Sequence, residues 1–147
     1  LNDFSKRSQC YVGGRGGSVL NGKKTMLKLL HVDDDADILE LAKMSLELMD
    51  DIEVVDCVSG EEALSTVEEF KPDVFLLDVM MPGMSGLETL EKLRQVPGLE
   101  SVPAIFMTAQ VGVGTWTELF DLGAAEVIAK PFDPMTLGPE IKAALNR

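Results

Sequence analysis

Val74-Phe75-Leu76-Leu77-Asp78-Val79-Met80-Met81-Pro82-Gly83-Met84-Ser85-Gly86-Leu87-Glu88 runs from an apolar stretch of strand length, past one carboxylate, into a helix start. Val74 to Leu77 has no polar face, the pattern of a strand covered on both sides. Ser85 and Glu88 stand at capping-box spacing, where hydroxyl and carboxylate satisfy free backbone N–H groups. Leu87, Leu90 and Leu93 then recur at helical spacing. Asp78 breaks the apolar run, and a lone carboxylate there is costly without a partner.

The same strand-then-helix unit recurs on either side. Leu27–Val32, Ile52–Val58, Ala104–Met107 and Val127–Ala129 are further short apolar runs. Helical spacing follows each, in Ile38, Leu41, Ala42, Ser45 and Met49, then in Ala63, Leu64, Val67 and Phe70. Leu119 with Leu122, and Leu137, Ile141, Ala144 and Leu145, supply the last two. Ser59 with Glu62, and Thr115 with Glu118, repeat the capping box. Asp133-Pro134 offers a cap acceptor and a pre-set φ at the first helical residue. Met44 and Met49 read as helix packing, Cys57 as a small strand hydrophobe and His31 as a core histidine. Glu61, Glu62, Glu68 and Glu69 read as a solvated face. Five strands alternating with five helices predict an α/β fold with a parallel sheet covered on both faces.

A chain of 147 residues fits one domain. Its net charge of −12 argues against nucleic-acid binding, which needs a basic surface. No apolar run approaches the ~20 residues of a membrane span. Cys10 and Cys57 match no metal spacing and point to a reducing, cytoplasmic setting. His31, the one histidine, rules out a multi-His metal centre. Residues 1–25 are basic and glycine-rich, with no apolar stretch of signal-peptide kind. They are expected to form a flexible extension, native or vector-derived, ahead of a folded unit spanning 26–147.

In an open parallel sheet, functional residues gather at the carboxyl ends of the strands. Those ends carry Asp33-Asp34-Asp35, Asp78, Thr108 and Lys130-Pro131. Asp34 or Asp35 also suits a helix N-cap. Three acids in a row nonetheless repel one another unless a cation neutralises them. Clustered carboxylates form a hard-oxygen site suited to Mg²⁺. A carboxylate, a divalent cation, a lysine and a hydroxyl suffice for phosphoryl transfer to the carboxylate itself. No Cys nucleophile or Ser/His pair competes with that chemistry.

These residues resemble the receiver domain of two-component response regulators, over about residues 26–147. Asp33-Asp34, Asp78 within Leu77–Gly86, Thr108 within Met107-Thr108-Ala109 and Lys130 within Lys130-Pro131-Phe132 follow the family's order. The resemblance implies a flavodoxin-like three-layer sandwich whose five-stranded parallel sheet has the order 2-1-3-4-5. It implies Asp78 as phosphoacceptor, with Asp33, Asp34, Asp78 and the Met80 carbonyl holding Mg²⁺ or Mn²⁺. Thr108 and Lys130 would stabilise the phosphoryl group, and the bond before Pro131 would be cis. The small Ala109 leaves access, while Met80 and Gln110 are placed to gate an attacking water. Val127 departs from the family, which often has an aromatic switch residue there. The implied partners are a sensor histidine kinase or histidine phosphotransfer protein and an unknown downstream protein, with no nucleic acid and no membrane. Catalysis would be limited to self-phosphorylation and autodephosphorylation.

Three rival readings remain. An aspartyl phosphatase of the haloacid-dehalogenase type needs a second acid where Met80 stands. A flavodoxin-like cofactor binder conflicts with the acidic loop and with only 5% aromatic residues. A pseudo-receiver scaffold that takes no phosphate would leave the Asp33, Asp34, Asp78, Thr108 and Lys130 set without purpose.

Overall fold

The computed structural model describes residues 19–20, 23–24, 26–109 and 113–146. Apolar residues at successive positions force strands to the middle of a covered sheet, and two strands obey this completely. β3 (Val74–Asp78) and β4 (Ala104–Thr108) are buried at every residue. β1 (Leu27–Val32) is nearly so, while β2 (Ile52–Cys57) and β5 (Glu126–Ala129) carry more exposed positions. All five are parallel, in the order β2-β1-β3-β4-β5, so β2 and β5 are the edges. That order is the expected one.

Alternation along the strands builds two apolar layers. Leu30, Phe75, Leu77 and Phe106 face α2 (Gly60–Phe70), α3 (Gly86–Leu93) and α4 (Val113–Asp121), meeting Val67, Leu90 and Leu119. Leu29, Leu76, Ile105 and Met107 face α1 (Ala36–Glu47) and α5 (Leu137–Leu145), meeting Leu46 and Ile141. Each such buried side chain contributes about 2 kcal/mol relative to exposure. Buried Ser45 donates from α1 to the Pro134 carbonyl, and Lys142 of α5 pairs with Asp51 ahead of β2.

Local chemistry sets most of the helix starts. The Asp35 side chain accepts from the N–H groups of Asp37 and Ile38 and caps α1. Ser59 accepts from the Glu62 N–H, while Glu62 reaches back to the Val58 N–H instead of its own cap residue. Ser85 and Glu88 make the reciprocal capping box at α3.

Several expectations need correcting. The buried face of α1 is Leu39, Ala42, Ser45 and Leu46, whereas Leu41 and Met44 are 42% and 62% exposed. The helical period fits either stripe, and packing on the sheet selects the one with Leu39 and Leu46. Leu122 is exposed just beyond α4. Helix α4 begins at Val113, so Thr115 lies inside it rather than at its cap. The Asp133 side chain accepts from the Met135 N–H in a turn, and α5 starts only at Leu137. Apart from these corrections, Val19–Leu20 pairs antiparallel with Lys23–Lys24.

Candidate functional site

Parallel strands end together, so the residues that follow β1, β3, β4 and β5 meet at one rim. Asp33 follows β1 and is wholly buried, its backbone N–H bonded to the Cys57 carbonyl of β2. One oxygen of its carboxylate accepts from the Asp35 N–H at 2.9 Å, and the other accepts from Lys130 Nζ at 2.8 Å. The same ammonium lies 3.2 Å from Asp78 Oδ1. Asp34 is exposed, and its carboxylate comes within 4.8 Å of those of Asp33 and Asp78. Among the described residues these three acids are the one group of metal-ligating side chains gathered this closely.

Electrostatics follow from burial and crowding. Burial, then the Asp33 charge, pushes the Asp78 carboxyl up to about 6; Lys130 and the Met80 backbone N–H, which bonds to it, work the other way. Burial alone would lower the Lys130 ammonium. Its bonds and attraction to Asp33 and then Asp78 outweigh that, and it is raised. The arrangement concentrates negative charge around one cation, and the three carboxylates could hold a metal ion.

Backbone hydrogen bonds tie down the chain on either side of Asp78. The Val79 N–H bonds to the Met107 carbonyl at 3.0 Å, and the Gly86 N–H bonds to the Val79 carbonyl at 3.0 Å. A Cβ at Gly86 would collide with the Asp78 carbonyl oxygen, so α3 can start this close to Asp78 only with glycine. Sequence reading missed this constraint. The available signal was a glycine in the first turn of a helix, where its low propensity needs a packing reason.

The other expected residues fall as follows. Thr108 is fully buried at the end of β4, and its carbonyl accepts from the Lys130 N–H at 2.8 Å. Ala109 is exposed, and the Lys130-Pro131 bond is cis. Met80 is 62% exposed on the rim. Val127 is buried in the layer that holds Phe106 and Leu119. Gln110 lies outside the described residues. His31, two positions ahead of Asp33, is fully buried, and neither ring nitrogen has a hydrogen-bond partner. Burial, then the Lys130 charge, lowers it to about 3. Cys57 is buried, with its thiol directed to Thr66 Oγ1 at 3.6 Å.

Comparison with known proteins agrees with this geometry. The family model for the response regulator receiver domain matches residues 29–142. The transcriptional regulatory protein YvrH of Bacillus subtilis is 37% identical over 119 residues, covering 81% of this chain and 49% of that protein. The phosphate regulon transcriptional regulatory protein PhoB of Pseudomonas aeruginosa is 34% identical over 119 residues, covering 81% and 52%. The chain thus spans about half the length of the curated relatives it matches. Among solved structures, the chemotaxis protein CheY4 of Vibrio cholerae has a TM-score of 0.75 at 29% identity, covering 82% of this chain and 99% of that one. A putative response regulator from Chloroflexus aurantiacus gives 0.75 at 34%, covering 84% and 100%. With the acidic rim, the order of the sheet and the match over residues 29–142 in agreement, the chain belongs to the response regulator receiver domain family.

Proposed function

We propose that the chain is a phosphorylation switch in which Asp78 takes a phosphoryl group from a phosphohistidine of a sensor kinase or phosphotransfer protein. An Asp78 carboxylate oxygen attacks phosphorus as the P–N bond breaks, and the imidazole leaves with a proton. Lys130 balances charge on the phosphoryl oxygens, and the Thr108 hydroxyl donates to one of them. Asp33, Asp34 and Asp78, with the Met80 carbonyl, would hold Mg²⁺ or Mn²⁺. When bound, the ion neutralises charge between the acids and the incoming phosphate. The observation that carries the reading is the Lys130 ammonium shared between Asp33 and Asp78 beside exposed Asp34.

Reversal by water, with limited self-phosphorylation from a small phosphodonor, is the extent of the chemistry. A phosphatase acting on outside substrates is disfavoured, because the position two after Asp78 holds Met80 and offers no acid or base. A scaffold without phosphorylation is disfavoured by the complete set of five polar side chains at the rim. Output passes through contacts with another protein. A cytoplasmic location suits such a partner, and no helix among the described residues is long and apolar enough to cross a membrane. Intact-mass measurement after incubation with acetyl phosphate and Mg²⁺ tests the proposal. The addition of one phosphate is expected, and an unchanged mass would count against it.

A further inference from the structure

We infer that Met80 is an oxidation site through which peroxide shortens the life of the phosphorylated state. The inference rests on the reading of Asp78 as acceptor. Met80 presents a large apolar side chain to solvent, 62% exposed, beside a cluster of three carboxylates. Its backbone N–H bonds to the Asp78 carboxylate, so its side chain leaves the chain at the edge of the acceptor. The next residue, Met81, is buried, as is Met107 across the strand pair from Asp78. Exposed methionines elsewhere, Met26, Met44 and Met135, belong to residues outside the acidic rim. Among the described methionines, Met80 alone combines accessibility with a backbone bond to the acceptor.

Oxidation changes what this rim does to water. The Met80 thioether sulfur attacks one oxygen of hydrogen peroxide; an S–O bond forms, the O–O bond breaks, and the displaced hydroxide takes up the remaining proton as water. Sulfur loses two electrons and the peroxide gains them, and a thiol-dependent reductase can reverse the step. The thioether is a weak acceptor that cannot hold a water in line with the phosphoryl group. The sulfoxide is polar and accepts hydrogen bonds, so it draws water to the path that hydrolysis requires.

The test compares phosphate lifetime by intact mass, before and after hydrogen peroxide, in the wild type and in Met80→Leu. Peptide mapping places the added oxygen. The wild type should carry sulfoxide at Met80 and lose phosphate at least about threefold faster, a modest share of what a positioned water contributes. Met80→Leu should keep one lifetime, although its other exposed methionines oxidise. Equal lifetimes in oxidised and untreated wild type, an equal acceleration in Met80→Leu, or a Met80 that resists oxidation would each overturn the inference while leaving Asp78 as acceptor. Failure of every form to gain phosphate would overturn the acceptor reading, and this inference with it.

Discussion

The Lys130 ammonium sits 2.8 Å from the Asp33 carboxylate, an acid that has no exposure to solvent of its own. Asp33 therefore depends on Lys130 for its charge balance, and Asp78 shares the same cation at 3.2 Å. Removing one member of such a pair leaves the other buried and uncompensated.

Lys130→Met should destabilise the metal-free protein by about 3 kcal/mol, read by urea denaturation. The same variant should bind Mg²⁺ more tightly, because a competing cation is gone, while losing phosphorylation. Weaker Mg²⁺ binding in Lys130→Met would contradict the competition.

Asp34 is the exposed member of the acidic group. A divalent ion held there stabilises the fold by mass action, so millimolar Mg²⁺ should raise the melting temperature. Asp34→Asn should remove most of that rise. Asp78 titrates near 6 in the metal-free fold, against 3.8 when unperturbed. Its protonated form is thus favoured by folding; that contribution is full below 3.8 and is lost as pH rises through 6. Protons and Mg²⁺ then compete, and the Mg²⁺-induced rise should be smaller at about pH 5 than at about pH 7.5. A pH-independent rise would argue that the ion does not touch Asp78.

His31 is a buried base whose proton affinity is depressed to about 3, from 6.5. The stability it allows is present above 6.5 and drains away as pH falls toward 3, because the unfolded chain takes the proton. His31→Leu keeps a similar volume and removes two ring nitrogens that have no partners. It should stabilise the protein by about 1 kcal/mol near neutrality. The advantage should widen by about 2 kcal/mol on going to about pH 5. A less stable His31→Leu at both pH values would contradict the assignment.

Val127 is buried among Phe106 and Leu119 and carries no ring that can swing outward. On the proposed function, the signal is expected to leave by another route, from Thr108 toward α4 and its half-buried Trp116. Trp116 fluorescence should respond to beryllofluoride with Mg²⁺ and stay silent in Thr108→Val. An equal response in that variant would exclude the route.

The sheet was legible because β3 and β4 are buried on both faces, and both are apolar at every position but the last, Asp78 and Thr108. The rim was legible for a related reason: Asp33 follows the apolar run of β1, Asp78 ends that of β3 and Lys130 follows that of β5. What stayed hidden depends on tertiary contact. The stripe of α1 could follow Leu41 or Leu39 by period alone, and the delayed start of α5 after Asp133 is a turn that the cap signal does not distinguish. The preference of Lys130 for Asp33 arises between residues 97 apart in sequence. The need for glycine at 86 arises from the close approach of α3 to the Asp78 carbonyl, which spacing alone does not display.

The central claim is that Asp78 is the residue that takes the phosphoryl group. The direct measurement is the intact mass of wild type and Asp78→Ala after equal exposure to acetyl phosphate and Mg²⁺. Wild type should gain one phosphate and Asp78→Ala none; stoichiometric gain by Asp78→Ala would contradict the account.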